Sequence, residues 1–189
     1  KITGDFDYAS ASFDNFTDLE GEFTHTRSLL YVRGEFWVVV DHIDTDVPRE
    51  IDALWHWHPN CSVSETGNGV VSSSNPHGNL KIIPADNTNW SVDFVKGQEE
   101  PHVQGWYSRE YNVYEPNTTA IYKTRGDSGS TFAWVLFPFE TDAPEVSAEM
   151  VSKGNDSVGL RVHVPGKGYW DINIPFLNSA EAGVNFIAD

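Results

Sequence analysis

The sequence predicts an all-β protein, an antiparallel β-sandwich of two sheets. Segments rich in β-branched and aromatic residues alternate between apolar and polar positions, which is the period of a strand. Clusters of Gly, Pro, Asn and Asp separate these segments at the spacing expected of a sandwich. No window shows the period of an amphipathic helix, apart from a short turn near residues 179–182.

The first predicted element is a hairpin. Residues 28–32 (SLLYV) and 36–41 (FWVVVD) are its strands, and residues 33–35 (RGE) form the loop between them. The ends, 1–18 and 175–189, are predicted to be loosely held. Ten further strands are predicted at 51–58, 69–73, 80–84, 90–95, 105–114, 118–125, 131–137, 145–152, 157–164 and 169–174.

Length and composition exclude several classes of protein. The 189 residues suit a single domain, and the lone Cys61 cannot form an intrachain disulfide. With 12 basic and 28 acidic side chains the net charge is −16, which disfavours nucleic acid as a partner. No apolar run reaches the roughly 20 residues that a membrane-spanning helix needs, so no membrane partner is expected.

Histidines and an aspartate in the first half of the chain are candidate metal ligands. Imidazole and carboxylate groups bind Zn²⁺ where thiolates are missing. Each histidine taken alone is more often a surface or hydrogen-bonded residue. Asp41 has the simpler interpretation of an ion pair with Arg27 across the hairpin. The candidates are His25, Asp41, His56, His58 and His77.

Whether His25 and Asp41 can meet depends on the length of the hairpin loop. With three loop residues, Val32 pairs with Phe36 and Arg27 faces Asp41, which places His25 on the same face. With two loop residues, the slip by one position would send His25 and Asp41 to opposite faces.

The next strand carries two kinds of side chain on its two faces. His56 and His58 are two positions apart and share one face, while Trp55 and Trp57 share the other. His77 lies in a tight loop before the strand at 80–84, and such loops often carry functional groups.

Seven tryptophans offer flat apolar surfaces to sugar rings, although core packing is the usual role of a strand tryptophan. Trp106, with Tyr107 beside it, is the candidate for substrate binding. The acidic residues are not paired as in a glycosidase, and no phosphate loop, nucleophile elbow or dinucleotide motif is present. No catalytic residue is assigned.

Several stretches of the sequence resemble the β-sandwich domain of heparinase II/III-like polysaccharide lyases. The most specific are residues 25–41 (HTRSLLYVRGEFWVVVD) and 52–59 (DALWHWHP). Residues 105–111 (GWYSREY) and 132–138 (FAWVLFP) are also similar. Together these stretches span residues 23–138.

The resemblance implies that residues 1–189 form one β-sandwich domain of a larger lyase whose (α/α) toroid is absent. Such enzymes cleave uronate-containing polysaccharides by β-elimination, in which a base removes the C5 proton and an acid protonates the leaving oxygen. The implied partners are an acidic polysaccharide and the toroid, without which the domain is inactive. The implied location is periplasmic or secreted. A noncatalytic carbohydrate-binding module is the alternative.

The resemblance also implies a metal, commonly zinc or another divalent ion. Several members hold it through a His before the Arg, the Asp ending the aromatic strand, and a later His. By position these ligands are His25, Asp41 and His77, with His56 or His58 as the alternative third ligand.

Two features of the sequence limit what the resemblance implies about the active site and the substrate. Some members carry a catalytic His two residues before the metal-binding His, where this sequence has Phe23. Either that group is missing, or His25 serves the role and no metal is bound. The charge of −16 would repel a highly sulfated polymer, which favours a less charged one such as alginate.

Overall fold

Every residue from 1 to 189 is described by the computed structural model. Its one helix is a 3₁₀ helix at Ser179–Glu181, and no helix has the length and hydrophobicity to cross a bilayer. The strands are β1 (Phe6–Phe13), β2 (Phe23–Val32), β3 (Phe36–Thr45), β4 (Arg49–His56), β5 (Val63–Gly67), β6 (Val70–Ser73), β7 (Asn79–Pro84), β8 (Ser91–Lys96), β9 (Trp106–Glu110), β10 (Val113–Pro116), β11 (Thr118–Gly126), β12 (Ser130–Phe139), β13 (Ser147–Lys153), β14 (Ser157–Val164), β15 (Gly168–Pro175) and β16 (Gly183–Ala188).

A seven-stranded antiparallel sheet forms the middle layer, in the order β1-β2-β3-β12-β7-β6-β5. The four-stranded sheet β13-β14-β15-β16 packs on one face, and the three-stranded sheet β4-β11-β8 packs on the other. Strands β9 and β10 form a separate two-stranded ribbon. The predicted all-β sandwich is confirmed, and the three-stranded sheet adds a layer that the two-sheet prediction did not include.

Strand β12 lies in the middle layer and contributes to both cores. Ala133 and Val135 enter the larger core against the four-stranded sheet, whereas Phe132 and Trp134 enter the smaller core against the three-stranded sheet. A strand covered on both faces needs apolar residues at consecutive positions. This requirement explains the unbroken apolar run from Phe132 to Phe137.

The smaller core is built from aromatic rings around Trp134, which is fully buried. Its ring centroid lies 4.8 Å from that of Tyr122 and 4.9 Å from that of Trp90. These contacts hold the three-stranded sheet over the middle layer, and β4 thereby comes to lie above β3.

The hairpin of β2 and β3 has the three-residue loop. Val32 pairs with Phe36 and Arg27 pairs with Asp41. Gly34 has a φ of 80°, a backbone conformation that glycine adopts without steric cost. The predicted register is confirmed.

Two predictions about the chain are wrong, and one internal strand was missed. The ends of the chain are not loosely held, because β1 pairs with β2 along its whole length and β16 pairs with β15. Residues 105–114 are not one strand, since a turn at Asn112, with φ 59°, separates β9 from β10. Strand β5 was not predicted, because its residues are mostly polar and exposed.

Candidate functional site

Three side chains meet on the face of the middle layer that is turned toward β4. The pairing of β2 with β3 places His25, Arg27 and Asp41 on this face. The distance from His25 Nε2 to Asp41 Oδ1 is 2.7 Å. Arg27 donates from Nε to Asp41 Oδ1 at 2.7 Å and from Nη2 to Oδ2 at 3.0 Å. The predicted convergence of His25 and Asp41 is confirmed, and so is the Arg27–Asp41 pair.

Asp41 is the buried centre of this group, with a side chain only 7% exposed. Burial raises its pKa, but hydrogen bonds from His25 and Arg27 lower the pKa by more, so it lies below the ordinary value. The hydrogen bond to Asp41 also raises the pKa of Arg27. At neutral pH Asp41 is therefore an ionised carboxylate and Arg27 a permanent cation.

The Asp41 carboxylate fixes the tautomer of His25. An ionised carboxylate only accepts hydrogen bonds, so Nε2 of His25 carries the proton that it donates. Nδ1 makes no hydrogen bond within the protein, and the side chain is 31% exposed. His25 is thus an oriented imidazole with one nitrogen available to a bound molecule.

The three side chains line a cavity of about 560 Å³ between the middle layer and β4. Phe16 and Leu19, from the loop between β1 and β2, form one wall. Arg49 and Ile51 of β4 form another. Arg49 also donates to the carbonyl of Glu20 at 2.7 Å, which ties that loop to β4.

Sequence reasoning missed both walls of the cavity. Phe16 and Leu19 are isolated apolar residues in an acidic loop, and no periodicity marks them. Arg49 carries a weak signal, as a basic residue two positions before the predicted strand at 51–58 in an acidic chain. Only the packing of β4 over the middle layer brings these residues together.

His56, the last residue of β4, and His58, just after the strand, both point away from the smaller core, as predicted. Trp55 and Trp57 pack into that core instead. His56 Nδ1 lies 3.0 Å from Thr119 Oγ1, and His58 lies beside the ring of Tyr107 at 5.5 Å. Neither histidine lines the cavity.

His77 lies toward the opposite end of the middle layer from His25. It precedes β7, whose first residue, Asn79, pairs with Phe139 of β12. Asp41 pairs with Phe132 of the same strand. Seven positions along a strand correspond to about 23 Å. His77 therefore does not approach Asp41.

The arrangement does not fit the metal centre that the resemblance implies. No three His, Cys, Asp or Glu side chains are grouped so as to hold a metal ion. Both oxygens of Asp41 already accept hydrogen bonds from Arg27 and His25. A zinc ion at His25 and Asp41 would need these bonds to rearrange and a third ligand to move in.

The predicted substrate-binding residues lie on the ribbon. Trp106 is half-buried and donates its indole N–H to the carbonyl of Gln98 at 3.0 Å. The ribbon adjoins the start of β11, whereas the cavity lies at the other end, where Gly126 pairs with Arg49. Trp106 and Tyr107 are therefore outside the cavity, and their role stays a prediction.

Replacing Asp41 with asparagine is expected to make stability less sensitive to acid. Because the pKa of Asp41 is lower in the folded protein, its stabilisation is complete above the unfolded value of about 3.9. It is lost as the pH falls through the folded pKa. Denaturant unfolding at a series of pH values, from neutral into acid, would measure the free energy of unfolding of wild type and variant. The difference between the two should become smaller as the pH falls from the unfolded pKa through the folded pKa of Asp41.

A matched control for this measurement is Asp171→Asn. Asp171 accepts the same two bonds from Arg161, at 2.7 and 3.0 Å, but on an exposed surface. Asp171→Asn should change the acid dependence of stability less than Asp41→Asn does, because solvent screens exposed ion pairs. Identical acid dependence in wild type and Asp41→Asn would contradict the electrostatic assignment.

Comparison with known proteins identifies the family. The profile of the C-terminal region of heparinase II/III-like proteins matches residues 6–149. Heparan sulfate lyase HepC from Pedobacter heparinus is structurally similar, with a TM-score of 0.73 at 19% sequence identity over 93% of this chain. A heparinase III, the BT4657 gene product, has a TM-score of 0.73 at 16% identity over 92% of the chain. Another heparinase III has a TM-score of 0.69 at 14% identity over 89%. No curated protein matches the sequence.

The match covers only part of each solved structure. The chain corresponds to 27% of HepC and to 26% of each heparinase III. At these identities the structural likeness shows the fold, whereas the family profile covers most of the sequence. The chain therefore belongs to the heparinase II/III-like family, as a C-terminal β-sandwich domain.

Proposed function

We propose that this domain is part of a lyase that cleaves uronate-containing polysaccharide by β-elimination, with the cavity at His25, Arg27 and Asp41 facing the substrate. The observation that carries the proposal is the oriented imidazole beside a permanent cation in an open cavity. Membership of a lyase family supports it.

Arg27 is suited to neutralise the uronate carboxylate. Asp41 occupies its Nε and Nη2 atoms, and Nη1 makes no hydrogen bond within the protein. The side chain is 47% exposed. Binding a carboxylate at Nη1 would withdraw charge from the sugar and make its C5 proton easier to remove.

His25 is suited to transfer a proton. Its Nδ1 atom can accept the C5 proton or, once protonated, donate to the leaving glycosidic oxygen. Asp41 would stabilise the protonated ring in either case. This role agrees with the absence of a histidine at Phe23.

A helical toroid domain is the proposed partner that completes the cleft, so the isolated chain should be inactive. The acidic charge favours a weakly sulfated or unsulfated polymer such as alginate. A periplasmic or secreted location is proposed with this substrate. Zinc or another divalent metal stays a prediction, which metal analysis of the purified protein with and without chelator would test.

A chimera tests the proposed function. Residues 1–189 would replace the matching part of HepC, and elimination would be followed through the absorbance of the unsaturated product. We expect activity on alginate or heparan sulfate from the chimera, but none from the chain alone or from HepC lacking this part. A folded chimera that binds polysaccharide without cleaving it would instead favour a noncatalytic carbohydrate-binding module.

A further inference from the structure

An exposed pair of aromatic rings closes the other end of the β2–β3 hairpin. Tyr31 and Trp37 are directly paired, with ring centroids 4.3 Å apart and planes at 16°. The Tyr31 hydroxyl accepts a hydrogen bond from the N–H of Gly34 at 3.0 Å, which fixes that ring against the loop. Trp37 is 45% exposed. The indole is thus held in one orientation while much of its surface remains open.

This pair lies on the same face of the sheet as the cavity group. Tyr31 follows Arg27 by four residues along β2, and side chains two positions apart share a face. Four residues of a strand span about 13 Å. Leu29 lies between them and is also exposed. Along this face of β2 the cation of Arg27 is followed by the apolar side chain of Leu29 and then by the stacked rings of Tyr31 and Trp37.

The negative net charge of the chain favours an uncharged contact, such as stacking on Trp37, for binding an acidic polymer. A protein with a net charge of −16 repels an acidic polymer at long range. Stacking on the C–H face of a sugar does not depend on a cationic surface, and a fixed ring loses little conformational entropy on binding. A preorganised aromatic contact can therefore hold the chain where ionic contacts are scarce.

We propose that Trp37 is a sugar-stacking subsite for the same polysaccharide whose uronate carboxylate is bound at Arg27. The inference rests on the proposed function and deepens it, because it gives the substrate a direction along β2. The proposed ligand is a pyranose ring a few sugar units along the chain from the cleaved bond. Tyr31 positions the indole of Trp37 on which this ring stacks.

Affinity electrophoresis of the full chain in gels containing alginate tests the proposal. Trp37→Leu keeps apolar bulk but has no flat ring. It is expected to raise the dissociation constant for alginate, obtained from the retardation, about tenfold. Trp37→Tyr should retain most of the binding. Circular dichroism and thermal unfolding would verify that each variant is folded.

Tyr169→Leu is the matched control. Tyr169 stacks on His163 with centroids 4.1 Å apart and planes at 10°, and it is 36% exposed on the four-stranded sheet. Its loss should leave retardation unchanged. Equal losses in Tyr169→Leu and Trp37→Leu would overturn the subsite, because binding would then follow exposed aromatic surface in general.

Two further results would overturn the inference without touching the proposed function. One is a wild-type chain that alginate does not retard, and the other is Trp37→Leu with unchanged binding while Arg27→Met has lost it. In the chimera the proposal also requires Trp37→Leu to raise KM more than it lowers kcat. Failure of the proposed function is read separately, as the absence of elimination by the chimera.

Discussion

Replacing His25 with glutamine in the chimera is expected to lower kcat by about 100-fold or more, the usual range for losing a proton-transfer group. Glutamine can still donate a hydrogen bond to Asp41, so the packing of the cavity is preserved, but its amide cannot accept or release a proton at neutral pH. KM should change little, because Arg27 remains in place. Initial rates of product absorbance at several substrate concentrations would separate the effect on kcat from that on KM.

The control for this variant is His163→Gln. His163 is another partly exposed histidine beside a carboxylate, with Nε2 3.5 Å from Asp189, but it belongs to the four-stranded sheet. Its replacement should leave kcat unchanged. Full activity in a folded His25→Gln chimera would remove His25 from the reaction and leave the proton transfers to the helical domain.

Replacing Trp134 with alanine is expected to lower the free energy of unfolding by about 4 kcal/mol, as for other large-to-small changes of buried aromatic residues. The indole is fully buried, and its ring contacts those of Trp90, Tyr122 and Trp55. These three rings come from separate segments, namely the residue before β8, strand β11 and strand β4, so we expect most of the space to stay empty. Urea unfolding followed by circular dichroism would measure the change.

A second variant separates packing from polarity at this position. The indole N–H of Trp134 is buried without a hydrogen-bond partner, so Trp134→Phe removes an unsatisfied donor while keeping a ring. We expect it to cost about 1 to 2 kcal/mol, clearly less than alanine. A loss below about 1 kcal/mol for Trp134→Ala would show that the smaller core contributes little to stability.

The hairpin shows what the sequence can predict about the site. Local rules sufficed there, because the three-residue loop sets the register and the register sets which face each side chain occupies. His25 and Asp41 were therefore predicted to meet, and the family resemblance rested on the same stretch. The burial of Asp41 was not predicted, since it depends on β4 packing above it.

His77 shows where such reasoning fails. Its distance from Asp41 depends on the pairing of β7 with β12, strands that are about fifty residues apart in the sequence. Strand order cannot be read from periodicity, so a plausible ligand spacing along the chain says nothing about proximity in space. The cavity walls at Phe16 and Arg49 escaped prediction for the same reason.

The ends of the chain were misjudged on a different ground. Strand β1 places small or polar side chains, such as Ala9 and Ser10, on much of its surface, and its pattern is weak. Its order comes from backbone pairing with β2 and from burial of Phe6 and Tyr8. Terminal segments with few apolar residues can thus be held by the sheet they complete.

The sharing of β12 between two cores makes the domain one cooperative unit. Because neighbouring side chains of this strand enter opposite layers, its detachment would expose both layers to water at once. Amide hydrogens of β12 should therefore exchange only through global opening, whereas those of the ribbon can exchange through local fluctuation. Asp41 lies on the adjacent β3, where it pairs with Phe132 of β12, so the carboxylate that orients His25 is held by the most slowly opening part of the sheet.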